Sequence, residues 1–170
     1  LWVTDDWQVN EKLNVNLSLR YEDVESSRVQ YSDEERNSVD STRSNKSSEV
    51  LPGASLTYML NERWQLLAGA HKGFAPLGGG ATKDEEPETS INWELGGRYN
   101  SEKLFVEAIA FYSDFSDKTE NCSVGSPCSN GETSGTFVNG EALISGIETQ
   151  LGTEWQGAEF NVPLNITYTY

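Results

Sequence analysis

The chain has 170 residues, 12 Lys plus Arg against 27 Asp plus Glu, and a formal net charge of -15, with 36% hydrophobic residues. A chain this acidic is a poor match for a nucleic-acid backbone, which is gripped by clustered Lys and Arg. Its longest uncharged apolar stretch, Leu66–Ala70, falls far short of the roughly 18–20 residues of a membrane-crossing helix, whereas a membrane β-barrel needs apolar residues only at alternate positions.

Taken in chain order, alternation with period two dominates. Leu1–Trp7 reads as a short first strand; position 1 is Leu, and no basic and apolar leader follows it, so no signal peptide is expected. Leu13, Val15, Leu17, Leu19 and Tyr21 then alternate with Asn14, Asn16, Ser18, Arg20 and Glu22. The next sets are Ala54, Leu56, Tyr58, Leu60, and then Trp64, Leu66, Ala68, Ala70. Ile91, Trp93, Leu95, Gly97, Tyr99 and Leu104, Val106, Ala108, Ala110, Tyr112 follow. Leu143, Ser145, Ile147, Thr149 and Leu151 form a weaker set, and Phe160, Val162, Leu164, Ile166, Tyr168 and Tyr170 a last one that breaks off without a turn. The expectation is an all-β internal piece of a longer chain, with about eight strands and no helix.

The charges sort by face. Arg20, Glu22, Glu94, Arg98, Glu107 and Glu148 lie opposite the apolar sets, and mid-strand the apolar faces are expected to be free of charge. Lys72 sits on one such face at a strand end, where it can snorkel. Aromatic residues gather near strand ends (Trp7, Tyr21, Tyr58, Trp64, Phe74, Tyr99, Tyr112, Tyr168), as in interfacial girdles. Connections alternate strictly between short (Asn10–Lys12, Asn61–Arg63, Asn100–Lys103, Gly152–Glu159) and long (about 24–49, 75–88 and 117–140), and no repeat is evident beyond this hairpin rhythm. Tight turns at one rim and long loops at the other are the plan of an outer-membrane barrel. A secreted ligand-binding β-sandwich explains the alternation but not the sorting of loop lengths. A self-contained eight-stranded barrel, as an anchor or adhesin, requires Leu1–Trp7 to pair with Phe160–Tyr170.

A series of motifs resembles one family. Val50-Leu51-Pro52-Gly53-Ala54-Ser55-Leu56-Thr57-Tyr58 is similar to a strand that follows a surface loop in TonB-dependent outer-membrane receptors. Trp64-Gln65-Leu66 into Lys72-Gly73-Phe74-Ala75-Pro76, Pro87-Glu88-Thr89-Ser90 into Trp93-Glu94-Leu95-Gly96-Gly97-Arg98-Tyr99, Phe111-Tyr112-Ser113-Asp114-Phe115, Gly146-Ile147-Glu148-Thr149-Gln150 and Tyr168-Thr169-Tyr170 continue the resemblance in order. It looks most like the ferric-citrate subgroup and spans essentially the whole chain. The resemblance implies a transmembrane antiparallel β-barrel of about 22 strands in the bacterial outer membrane, blocked by an N-terminal plug. Iron chelates, or in some members cobalamin or sugars, bind outside, and TonB supplies energy through a segment before the plug. Residues 1–170 are then a wall arc from the later half of the barrel, with the plug, the TonB-contacting segment and the remaining strands outside the chain.

Candidate sites follow. Cys122 and Cys128, the only cysteines, have no histidine near them and too few ligands for zinc, so a loop disulfide is expected. Closing so short a loop contributes roughly 2–2.5 kcal/mol in the chain-entropy model. His71, the single histidine, faces the lumen with Gln65, Leu67 and Gly69, either as a wall residue or toward a ligand. It leaves no nucleophile–base pair, so no catalytic residue and no enzyme are expected. Arg20, Glu94, Arg98, Glu107 and Glu148 read as a lumen network within the wall or toward the plug. Phe74 is a girdle residue or a ligand contact, and Arg28 and Arg43, with Arg36 and Lys46, supply positive charge to the first loop. The acidic runs Asp33-Glu34-Glu35 and Asp84-Glu85-Glu86 lack calcium-loop spacing and read as solvated, so no metal or cofactor is assigned. Gly78-Gly79-Gly80 lacks the Lys-Ser/Thr of a phosphate loop and reads as a flexible hinge. Expected partners are a ferric chelate or another scarce nutrient, TonB through the N-terminal region outside the chain, and outer-membrane lipid, with no nucleic acid.

Overall fold

The computed structural model describes residues 1–81, 85–128, 131–157 and 160–170, with the backbone alone for 135–139. Eight strands follow in chain order: β1 (Trp2–Gln8), β2 (Leu13–Tyr31), β3 (Val39–Met59), β4 (Trp64–Ala75), β5 (Glu88–Asn100), β6 (Leu104–Cys122), β7 (Gly135–Gln156) and β8 (Asn161–Thr169). They form one antiparallel sheet in that same order. β1 pairs with β2 and β8 with β7, so the sheet is open at both edges and the eight strands do not close on themselves. Nor does a second layer cover it. Among the described residues only Ser47, Ser90, Cys122, Cys128 and Gly140 are buried. The sandwich and the self-closed barrel both fail on this topology.

The register turns the alternating sequence into two chemically different faces, because successive side chains point to opposite sides. Leu17, Ala54, Ala70, Trp93, Tyr112 and Ser145 share one cross-strand row, and Val15, Leu56, Ala68, Leu95, Ala110 and Ile147 the next. These rows are the outward face. In β2, β5 and β6 its apolar run covers Leu13–Tyr21, Ile91–Tyr99 and Leu104–Tyr112, which at ~3.3 Å per residue and a barrel tilt gives a belt roughly 20–25 Å high. The expected absence of mid-strand charge breaks at two places: Asp114 stands on the outward face between Ile91 and Leu143 at the upper edge of the belt, and Asp5 toward the lower edge. Asp5 pairs with Leu17 on the outward side between Val3 and Trp7. It lies three residues from the last pair before the first turn, Gln8 with Asn14, near the interface where a lipid-facing charge costs little.

The strands are also staggered. Measured from the Val15–Ile147 row, the last paired residues before the short turns are Gln8–Asn14, Met59–Gln65, Asn100–Phe105 and Gln156–Asn161, at one, three, five and nine residues respectively. Across six strand spacings of ~4.8 Å this slope corresponds to a tilt of about 40°, that of a barrel wall. The lower girdle is visible in contacts: Trp64 and Tyr99 pair across β4 and β5 with ring centroids 5.0 Å apart, and Trp155 meets Phe160 at 5.6 Å.

Three of the tight turns share a motif not evident beforehand: Asn10-Glu11-Lys12-Leu13, Asn61-Glu62-Arg63-Trp64 and Asn100-Ser101-Glu102-Lys103-Leu104. Asn10 Oδ1 accepts the Lys12 and Leu13 amides, Asn61 Oδ1 those of Arg63 and Trp64, and Ser101 Oγ that of Leu104. Side-chain oxygens thereby close the turns. The link at 75–88 falls where expected, between Ala75 and Glu88, but the other two long connections are shorter, because β2 and β3 stay paired up to Tyr31 and Val39, and β6 and β7 up to Cys122 and Gly135. Their Ser-, Thr- and charge-rich ends lie beyond the apolar belt, so alternation of apolar with polar residues cannot reveal them. In the fourth short link, Gln156 is still in β7, while Ala158 and Glu159 lie outside the described residues.

The two faces predict an asymmetric response to charge. In the intact protein, Ala68→Arg at mid-belt is expected to cost about 2–4 kcal/mol and inward Thr57→Arg much less, read from urea unfolding in lipid vesicles. Equal costs would contradict the assignment of faces.

Candidate functional site

The inward face is polar and layered. Near the short turns, Gln65, Arg98 and Glu107 stand side by side on β4, β5 and β6. Arg98 Nε donates to Glu107 Oε2 at 2.6 Å, and its Nη1 to Gln65 Oε1 at 3.4 Å. The Arg98 guanidinium also lies 5.8 Å from the Phe105 ring centre. This half-buried group ties three strands together and leaves no basic side chain free for a ligand.

Above it is a hollow of about 330 Å³ lined by His71, Asn92, Glu94, Phe111, Ser113 and Glu148. Among the described residues neither Glu94 nor Glu148 has a cationic partner. The expected lumen network is therefore two things: a closed Arg98–Glu107 pair, and two open carboxylates with the histidine at their upper edge. His71 is exposed on this inward face and in register with Asn92.

Higher still, Arg20 pairs with Glu22 on its own strand, and Lys72 Nζ meets Glu49 Oε1 at 2.9 Å. Alternation alone puts Lys72 on the outward face and Glu49 on the inward one. The β3–β4 ladder ends at Gly53 and His71, next to Pro52, which has no amide to donate, and beyond that end the two charges meet. The Lys72 ammonium, then the Val50 amide, hold the Glu49 carboxyl below its ordinary range. Phe74 stands on the same face of β4 as Lys72 and Ala70, in register with Thr89.

The outer segments are built differently. After β4 the chain turns back over the inward side of the β2–β3 hairpin as a strap. Ser26 Oγ donates to Leu77 O at 2.7 Å, and Leu77 N donates to Ser47 Oγ at 3.2 Å. Asn45 Nδ2 reaches Gly78 O at 2.9 Å and Ala81 O at 3.4 Å, and Arg43 Nη1 reaches Gly80 O at 3.1 Å. The glycines are therefore not a free hinge. A Cβ at Gly79 would come within 2.7 Å of the Ser27 carbonyl, and one at Gly80 within 2.9 Å of Arg28 Nη1. Of the acidic runs, Asp33 closes the hairpin tip by accepting the Asn37 and Ser38 amides, while Asp84 lies outside the described residues. At the second tip, Cys122 and Cys128 are joined, and Ser123 and Ser126 exchange backbone hydrogen bonds inside the ring. Lys118 reaches Glu88 at 3.6 Å beside an irregularity at Asp117, whose φ of 60° an aspartate tolerates. Among the described residues no cluster of His, Cys, Asp or Glu is arranged to hold a metal.

An open, tilted antiparallel sheet with an apolar outer belt, a polar inner face and folded outer hairpins is the wall of an outer-membrane β-barrel. Residues 1–170 match the family model described as "TonB dependent receptor-like, beta-barrel", and the chain belongs to that family. It is 26% identical over 118 residues to the pesticin receptor of Yersinia pestis, covering 65% of this chain and 18% of that protein. Among solved structures it resembles the alcaligin outer-membrane receptor FauA of Bordetella pertussis, with a TM-score of 0.72 and 17% identity over 99% of this chain and 29% of that one. The ferric-catecholate import receptor Fiu of K12 E. coli gives a TM-score of 0.69 and 13% identity, over 99% of this chain and 27% of that one. The chain thus spans less than a third of each of these relatives.

Two outcomes follow for the intact receptor. Glu49 is depressed below its ordinary 4.5, so the Lys72 pair stabilises fully above that pH and is lost as pH falls through the lower folded value. Spin-label distances between the tops of β3 and β4 should widen as the pH is lowered from neutral to well below the ordinary carboxylate range, and Glu49→Gln should be insensitive to pH. Replacing Cys122 and Cys128 by serine should cost the tip roughly 2–2.5 kcal/mol and speed its proteolysis, leaving the membrane belt unchanged.

Proposed function

We propose that the chain is part of the wall of an outer-membrane receptor that takes up a ferric chelate, of the siderophore or iron-citrate type, in a TonB-dependent way. The family match along the whole chain carries the reading. Two of its structural relatives, a receptor for alcaligin and an importer of ferric catecholate, favour a chelate. In this reading the chain is from the later half of a barrel of about 22 strands, and the remaining strands, the plug and the segment that meets TonB belong to the rest of the protein. The wall is passive in the membrane, where every backbone polar group must be satisfied.

The inward face divides the work. Glu94 and Glu148, open in the wall hollow, face the plug and take its basic groups. Arg28, Arg43 and His71 line the route from the outer hairpins downward and contact the ligand, while Phe74 anchors the girdle. Citrate itself is the subgroup resemblance's suggestion, and the arginines are the feature compatible with it.

The experiment is growth of the source bacterium on a panel of ferric chelates with the complete receptor gene deleted. Growth on one chelate should be lost and restored by the intact gene. Unchanged growth on the whole panel would point to another substrate class. The coding region on either side should also encode a plug and further strands, and their absence would sink the receptor reading.

A further inference from the structure

Most cations on the upper wall have an acid: Arg20 has Glu22, Lys46 has Asp23, Lys72 has Glu49 and Lys118 has Glu88. Arg28 and Arg43 have none among the described residues, in a chain with 27 acidic residues against 12 basic ones. They are moreover direct register partners across β2 and β3, an arrangement that like charges disfavour. Both side chains converge on Gly80. Arg43 Nη1 donates to the Gly80 carbonyl at 3.1 Å, and Arg28 Nη1 lies where a side chain at Gly80 would have to stand, 2.9 Å from its Cβ position.

We propose that Arg28 and Arg43 form a site for one oxyanion group of the captured ligand, a carboxylate or phosphate. The Gly80 carbonyl is its resident stand-in, and the anion displaces it and loosens the 77–81 strap. This rests on the reading of the outer hairpins as the ligand-capturing end. A carbonyl is a neutral acceptor that here engages a single guanidinium N–H. An oxyanion makes charge-assisted bonds, roughly twice as strong, and can bridge both forks while cancelling their repulsion. Glycine at 80 leaves the room. Arg28 is on the inward row, seven residues beyond Tyr21 at the top of the belt, roughly 20 Å along the strand. A soluble ligand reaches that place; a lipid headgroup does not. Once Gly80 is released, the hydrogen bonds that tie the strap to the hairpin among the described residues are neutral ones, donated by Ser26 and Asn45 and accepted by Ser47. Occupation of the site is thereby reported by the chain segment that covers it.

The test is hydrogen exchange at the Leu77 and Ala81 amides of the intact receptor, with inorganic phosphate as the probe and chloride at matched ionic strength as control. Phosphate should raise exchange about fivefold, the loss of one hydrogen bond, and the Arg28→Gln, Arg43→Gln double variant should not respond. Asn45→Ala loosens the strap without touching either arginine, and it should exchange fast without phosphate and bind phosphate more tightly. No response in the wild type, an equal response in the double variant, or a response only to phosphatidylglycerol micelles would overturn the site. Chelate-dependent growth separates the two readings. A lost phosphate response with growth intact sinks only this site, and a retained response with no chelate phenotype sinks only the ferric-chelate reading.

Discussion

The wall depends on one constraint: inside hydrocarbon, backbone amides and carbonyls have no water to bond and must find each other. The antiparallel ladder answers it across all eight strands, and once the ladder is in register the side chains have no choice of face. Apolar residues at every second position then become a belt, and the polar ones between them a lining. With no interior to fill, the sheet needs no core, which is why 36% hydrophobic residues suffice and why so few residues are buried.

Above the belt the same ladder continues in water, and other interactions take over. The β2–β3 hairpin keeps its pairing as far as Tyr31 and Val39, but what it presents inward is a row of hydrogen-bonding side chains. Ser26, Arg43, Asn45 and Ser47 bind the backbone of residues 77–81 much as they would bind a guest chain. The membrane part is held by regular backbone pairing, and the outer end by individual polar contacts. That division puts rigidity in the lipid and adjustable contacts at the mouth.

What could be read from the sequence follows the same boundary. Within the belt, period-two alternation placed Leu13–Tyr21, Ile91–Tyr99 and Leu104–Tyr112 on strands and put Arg98 and Glu107 on one face, where they pair. Asp5 escaped because β1 has too few apolar residues to define a face by itself; only its register against β2 does so. Outside the belt the polar strands of 24–49 and 117–140 carry no sustained alternation of apolar residues, and they read as loops. The strap was illegible for a different reason. Its contacts join side chains to backbone atoms thirty or more residues away, and no local pattern encodes them. The Lys72–Glu49 pair is hidden likewise, since it depends on where the β3–β4 ladder stops.

The growing stagger of the short turns makes each hydrogen-bonded row a thread of a screw rather than a ring. Asp5 and Ser145 lie on one row, through Leu17, Ala54, Ala70, Trp93 and Tyr112, yet Asp5 is three residues from its short turn and Ser145 eleven from its own. At ~3.3 Å per residue and a tilt of about 40°, the two ends of that row differ in depth by roughly 20 Å. A single run of backbone hydrogen bonds therefore climbs from the inner leaflet to the outer one, and residues adjacent in pairing are graded in lipid environment. Chemically alike substitutions along one row sample most of the bilayer's thickness.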